Sequence, residues 1–185
     1  MDEINLDNKK IVKKWQILAS VFSLIFGTLL HFTYEWSNKN AFISSFSSVN
    51  ESTWEHLKLV FFPMLITTIV GFLVIGKDNK KFWCAKTIGI ILAMSFIIVF
   101  FYTYTGIIGT NFAILDIGSF FVAVILGEYV AYKIMTNDEY KLKCNKRIAV
   151  IGLICILLCF IIFTYLPPHI GLFKDPISNG YGIQK

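Results

Sequence analysis

Five long apolar stretches divide this 185-residue chain and restrict the folds that it can adopt. Each stretch holds at least the roughly 20 mostly apolar residues that an α-helix needs to cross membrane hydrocarbon. The stretches are Gln16–Trp36, Leu57–Gly76, Phe82–Tyr104, Phe112–Met135 and Arg147–Leu166. None of them alternates polar and apolar residues as a strand of a membrane β-barrel does. The pattern predicts an all-α, polytopic membrane protein with five transmembrane helices in a single domain, 1–185, embedded in the lipid bilayer.

The lysine and arginine residues are distributed unevenly between the two ends of these helices. With the N-terminus inside, 13 of the 17 basic residues fall in inner segments, and the outer segments hold Lys39, Lys58, Lys174 and Lys185. Because basic residues are retained on the cytoplasmic side, this predicts a multi-pass protein of the cell membrane with its N-terminus inside and its C-terminus outside. The net charge of +5 is then an orientation signal and implies no nucleic-acid partner. No cysteine falls in an outer segment, so we expect no structural disulfide.

All three histidines of the chain fall at the predicted outer face, together with several carboxylates. Ionisable groups in or beside hydrocarbon are costly and by default mark a functional site. Three imidazoles with carboxylates have the composition of a site for zinc or another divalent metal. We therefore expect a site with His31, Glu35, His56 and His169 as candidate metal ligands and Glu51, Glu55 and Asp116 as candidate catalytic carboxylates.

The first motif of this site pairs His31 with Glu35. Residues four apart share one face of a helix, so the imidazole and the carboxylate are expected to form one polar patch near the outer end of the first helix. Such a patch can bind a metal or relay a proton. The structural alternative is a His–Glu pair that closes the helix end beside an interfacial belt of Tyr34 and Trp36.

The second motif lies just before the second apolar stretch. Ser48…Glu51 and Ser52…Glu55 both match the capping-box pattern, in which a hydroxyl residue is followed three residues later by a glutamate. One glutamate is therefore expected to cap the helix, and the other to remain free beside His56. Neutralisation of Glu55 by Lys58 is the structural alternative.

Two carboxylates lie within the fourth stretch. Asp116 is about one turn, or roughly 6 Å, inside its outer end, and His31 and His56 are its nearest expected partners. The alternative for Asp116 is a charge at a helix start, stabilised by the helix dipole. Glu128 lies near the opposite end of the stretch, where we expect it to pair with Lys133 or to extend to the inner interface.

The segment 167–185 contains three prolines and three glycines and cannot continue a helix. We expect it to fold back over the outer ends of the helices and to place His169 at the rim of the site; a disordered tail is the alternative. A further proline, Pro63, lies within the second stretch, and we expect it to open that helix locally.

Several strings in the chain carry a resemblance to known families. They are residues 31–37 (HFTYEWS), 49–63 (VNESTWEHLKLVFFP) and 101–106 (FYTYTG), with Asp175-Pro176 and Tyr181-Gly182-Ile183 near the end. On these motifs the sequence resembles an uncharacterised family of small bacterial multi-pass membrane proteins, which implies no mechanism. More distantly, Ser52, His56, Asp116 and His169 are similar to part of the pattern of alkaline-ceramidase-type zinc hydrolases. Those proteins have seven helices and a His-x-x-x-His pair, whereas this chain has five apolar stretches and no histidine four residues after His169.

Three classes of function are compatible with the sequence. The first is a metal-dependent hydrolase that acts at the outer leaflet on a lipid or a small molecule, with a metal-activated water as nucleophile. The second is a module that binds or transports a cation or a proton, which requires a path from the outer site to Glu128. The third is a non-catalytic subunit whose polar rim binds another membrane protein.

Overall fold

The computed structural model describes residues 2–137 and 145–183, and their side chains from residue 7 onward. These residues form helices and connecting loops, with a single isolated antiparallel bridge between Lys174 and Tyr181 in place of any strand. The helices are α1 (Asp2–Trp36), α2 (Ala41–Ser44), α3 (Thr53–Gly71), α4 (Phe82–Ile108), α5 (Ala113–Thr136) and α6 (Lys146–Tyr165). A π-helical turn, Phe72–Gly76, extends α3, and a 3₁₀ turn, Gly171–Phe173, follows α6.

Five helices among the described residues are long and apolar enough to cross a membrane, which confirms the predicted all-α architecture. They are α1 from Asp7 onward, α3 with its π-helical turn, α4, α5 and α6. Three of them are longer than the hydropathy indicates, and α1 begins well before Gln16. The Ser52 side chain caps α3, which therefore begins at Thr53, and α4 continues to Ile108, where Gly109 ends it in the left-handed conformation (φ 86°).

Glycines set the closest contacts between the helices. A Cβ atom on Gly89 of α4 would lie 2.5 Å from the carbonyl oxygen of Gly127 on α5, and one on Gly127 would lie 2.6 Å from the oxygen of Gly89. Small residues allow helix backbones to approach in this way, which is how helices associate in membranes without help from the hydrophobic effect. The α4–α5 pair is therefore packed backbone against backbone.

The helix α3 is continuous through Pro63, and its departure from α-helical geometry is the π-helical turn that begins nine residues later, at Phe72. Proline has no N–H for the carbonyl four residues before it, which here is the carbonyl of Leu59. A Cβ atom on Gly27 of α1 would lie 2.4 Å from this oxygen. The backbone of α1 thus covers the carbonyl that Pro63 leaves without its helical partner.

The described residues bring the end of α1, the start of α3, the end of α4, the start of α5 and the end of α6 to one end of the bundle, which we call the histidine end. The tail after α6 folds back over it, as expected. The Phe173 ring packs on Trp54 with centroids 4.7 Å apart, the Asn50 amide donates to the carbonyl of Gly182 (2.9 Å), and His169 stacks on Tyr181.

Two expectations for the opposite end are corrected. Glu128 is buried against Lys86, whose Nζ lies 2.7 and 2.5 Å from its two carboxylate oxygens, and Gln16 also donates to it (2.7 Å). The expected partner, Lys133, lies over the Tyr129 ring instead. Lys86 occupies the second turn of α4 and points into the bundle, where only a paired charge is tolerated. Cys84 is disulfide-bonded, contrary to the expectation of no disulfide.

Candidate metal site

Three of the predicted residues converge at the histidine end. The last turns of α1 supply His31, the loop before α3 supplies Glu51, and the first turn of α3 supplies His56. The Glu51 carboxylate lies at the edge of both rings, with one oxygen 3.3 Å from Nε2 of His56 and the other 3.8 Å from Nε2 of His31. The rings are stacked with centroids 5.4 Å apart. One ligand atom from each residue lies within 4.8 Å of those of the other two.

The second nitrogen of each ring is held by a partner outside the group. Nδ1 of His56 lies 3.0 Å from the carbonyl oxygen of Ser52, and because a carbonyl only accepts hydrogen bonds, Nδ1 carries the proton. Nδ1 of His31 lies 3.2 Å from the hydroxyl of Ser48. Histidines that bind metals are typically oriented by such a bond from the other ring nitrogen. Without a metal, Nε2 of His56 carries the second proton and donates to Glu51; loss of that proton presents the Nε2 lone pair to a metal ion.

The capping of α3 explains why Glu51 is free for this role. Ser52 is the N-cap and accepts from the backbone N–H of Glu55, while the N–H of Ser52 bonds to the side chain of Asn50. The reciprocal half of the capping box is thus supplied by Asn50, and neither glutamate is used for it. The hydrogen bond with the His56 side chain is the main cause that lowers the pKa of Glu51 below its ordinary value.

The second glutamate of the motif, Glu55, has a structural role: Lys58 neutralises it, as the structural alternative predicted. Glu55 is buried and lies 2.6 Å from Nζ of Lys58, and it also accepts from the N–H of Val49 (3.1 Å). Lys58, which has no exposed side-chain surface, donates further to the Thr164 hydroxyl and to the carbonyls of Ser44 and Ser47. This network fixes the loop of residues 41–47 and α6 to α3.

Asp116 lies in the first turn of α5 and is held by two donors. The Tyr104 hydroxyl donates to one carboxylate oxygen, and the Asn111 amide donates to the other at 3.1 Å. Asp116 is not a member of the His31–Glu51–His56 group, but it lines the same cavity.

The other two predicted ligands lie apart from the group. Glu35 is exposed in the last turn of α1, one turn nearer to the helix end than His31. The i, i+4 spacing predicted that Glu35 would lie beside His31, but the carboxylate found there is that of Glu51. His169 stacks on Tyr181 within the tail, with ring centroids 4.5 Å apart. The sequence did not single out Ser48 or the Ser52 carbonyl as ring partners, because the pattern around them is that of helix caps.

A cavity of about 680 Å³ opens beside the group. Its polar end contains His31, His56, Glu51, Asp116 and Asn111, and the rest of its wall is mostly apolar, with three hydroxyl residues, Thr28, Thr53 and Ser119. A volume of this size is typical of pockets for small ligands, which combine an apolar wall with a few converging polar groups.

Comparison with known proteins assigns a family but no activity. The chain belongs to a family of unknown function, DUF6512, whose family model matches residues 4–183. No curated protein and no solved structure matches the chain, so the distant similarity to alkaline ceramidases gains no support from these comparisons.

Proposed function

We propose that this protein is a divalent-metal-dependent hydrolase of the cell membrane, with zinc as the metal and His31, Glu51 and His56 as its ligands. One observation carries the proposal: a carboxylate and the Nε2 atoms of two imidazoles point at one another, while Ser48 and the Ser52 carbonyl hold the Nδ1 atoms. A carboxylate that faces two imidazole Nε2 atoms needs a positive charge between them, which a proton supplies to one ring at a time and a metal ion supplies to both. A shared cation makes all three contacts favourable.

The donor set fits zinc in type and requires a contraction of the group. Zinc binds imidazole nitrogen and carboxylate oxygen at about 2.0–2.2 Å in tetrahedral geometry, so two ligand atoms on one ion are about 3.4 Å apart. The two N–O distances, 3.3 and 3.8 Å, are close to this value. The ligand atoms of the whole group lie within 4.8 Å of one another, so side-chain shifts of about 1.4 Å bring them to tetrahedral positions on one ion. Three protein ligands leave a position open for water, as catalytic zinc sites do.

Asp116 is the residue best placed to act as the base. A bound divalent metal lowers the pKa of its water to about 7. Asp116 shares the cavity with the group, and Tyr104 and Asn111 fix its carboxylate. In the proposed reaction Asp116 accepts the proton of the attacking water and returns it to the leaving group, so that water is added across an acyl ester or amide bond.

The cation- or proton-transport alternative has less support from the geometry. It requires a route to Glu128, but this carboxylate is buried in an ion pair with Lys86. Glu128 also does not line the cavity, whose deepest lining residues include Gly27, Leu59 and Phe120.

The experiment is metal analysis of the detergent-purified protein, followed by activity measurement. We expect about one zinc per chain, lost in His31→Ala, His56→Ala and Glu51→Gln and kept in the matched control His169→Ala. Asp116→Asn is expected to keep the zinc and to lower hydrolysis of a fluorogenic acyl ester about 10²–10⁴-fold, the range for loss of a general base. A wild-type protein without bound metal, or triad variants that retain it, would contradict the metal site. Undiminished turnover in Asp116→Asn would contradict the role of that residue.

A further inference from the structure

The walls of the cavity identify the kind of substrate that it can take. Below the polar end, the lining is formed by apolar side chains from four of the five long helices, α1, α3, α4 and α5, among them Leu59, Ile97, Phe101, Phe120 and Phe121. A ligand that fills this part meets mostly hydrocarbon, with the hydroxyls of Thr28 and Ser119 as its polar neighbours. The shape of the site, with charged groups at one end and hydrocarbon at the other, matches an amphiphile.

The cavity is shallow along the helix axes. On α1 its lining runs from Phe32 down to Gly27, and on α5 from Ala113 down to Phe121. Steps of five and eight residues along a helix correspond to about 8 and 12 Å. Its floor is closed where Gly27 packs against the Leu59 carbonyl and the Phe120 ring, which a Cβ atom on Gly27 would approach to 2.4 and 2.7 Å. A long acyl chain therefore cannot be contained by extending further down the bundle.

The exposed residues of the lining indicate that the cavity opens at the side of the bundle, between α1 and α5. Lining residues of both helices are exposed at the surface of the bundle, namely Thr28 and Phe32 on α1 and Ile117 and Phe121 on α5. All four lie within helices that have the length and composition to cross a membrane. In a bilayer, this part of the bundle surface is bathed by lipid chains.

We propose that the site binds a single-chain or multi-chain membrane lipid through one acyl chain, which enters from the bilayer between α1 and α5. The carbonyl at the head of the chain then lies beside His31, Glu51 and His56, and the distal part of the chain stays in the membrane. This inference rests on the proposed function for its chemistry, and it names the substrate class as an acyl lipid.

The test uses a fatty acid with a diazirine near the carboxyl end of its chain and an alkyne for detection, added to the full-length protein in phosphatidylcholine nanodiscs. We expect photolabelling on peptides around residues 27–32 and 113–121. Thr28→Trp and Ile117→Trp, which fill the side opening, are expected to reduce it about tenfold, the equivalent of about two buried methylenes. The matched control is Ile154→Trp on the exposed face of α6, which is expected to leave it unchanged.

The result separates this inference from the metal site. Labelling that persists in Glu51→Gln while zinc is lost supports the acyl-chain cavity independently of the metal. Two results would overturn the proposal, because they would show that the probe labels only what the surrounding lipid reaches. One is equal labelling of α6 and the cavity peptides. The other is full labelling in both tryptophan variants with an unchanged melting temperature. Absence of metal in the wild type would leave this measurement intact and would overturn the hydrolase alone.

Discussion

At the scale of single residues, the candidate site depends on the ionisation of Glu51. Its carboxylate lies beside the Nε2 atoms of His31 and His56. The hydrogen bond with His56 lowers the pKa of the Glu51 carboxyl group. A carboxylate with a lowered pKa contributes its interaction at every pH above its ordinary value of 4.5 and loses it only as the pH falls through the lower value of the folded state. Between pH 5.5 and 7.5, Glu51 is therefore ionised throughout and adds no pH dependence.

The pH dependence of zinc binding then reports the two imidazoles. A ligand histidine must be neutral, so protonation of the imidazoles competes with zinc, and we expect zinc affinity to fall about tenfold or more in total between pH 7.5 and 5.5. Competition titrations with a zinc indicator at several pH values measure this. His169→Ala is expected to keep the same slope. An affinity that does not change over this range would be inconsistent with imidazole ligands.

The residues of the site could be predicted from the sequence only in part. Depth below the helix ends predicted that His31 and His56 would meet, and they do. Which glutamate would join them was open, because Ser48…Glu51 and Ser52…Glu55 match the same pattern. The choice depends on Lys58, which turns inward to Thr164 on α6, and contacts between residues 106 positions apart leave no signal in local spacing.

At the scale of helices, the sequence predicts the number of long helices and most of their positions, because 20-residue apolar stretches are unambiguous. The contacts between helices are harder to predict. Gly89 and Gly127 meet backbone to backbone, whereas Gly118 and Gly152 have open space where a Cβ atom would be. These four helical glycines look alike in the sequence, since the difference lies in which helix faces which.

Alanine substitutions distinguish the two kinds of glycine. We expect Gly89→Ala to destabilise the protein by about 1–3 kcal/mol, because the new methyl group meets a carbonyl oxygen that cannot move aside. Gly152→Ala is the matched control and is expected to be neutral or slightly stabilising, since alanine favours helices. Thermal unfolding in detergent, followed by circular dichroism, measures both. Equal melting temperatures for Gly89→Ala and the wild type would refute the close packing.

At the scale of the whole molecule, the structure shows which basic residues count toward the orientation in the membrane. Lys58 and Lys86 are buried in ion pairs within helices, so they are not loop charges. Without them, twelve basic residues remain in the predicted inner segments and three in the outer ones. The asymmetry therefore persists, and we still expect the histidine end to face outward.

Labelling of single cysteines in an otherwise cysteine-free protein tests this topology. Thr110 and Lys77 are exposed in loops at opposite ends of the bundle. We expect a membrane-impermeant maleimide added to whole cells to label Thr110→Cys and to label Lys77→Cys only after the cells are opened. The reverse pattern would place the N-terminus outside.

The positions of the three candidate metal ligands also set an order in time. His31, Glu51 and His56 all belong to the first 56 residues, which the ribosome delivers before any other part of the site. The hairpin of α1 and α3 thus contains all three candidate ligands while α5, with Asp116, is still unmade. The tail that covers the site is synthesised after all five long helices. Under the proposed function, the three metal ligands of a nascent chain are therefore made well before its base, and the order of synthesis separates metal binding from hydrolysis.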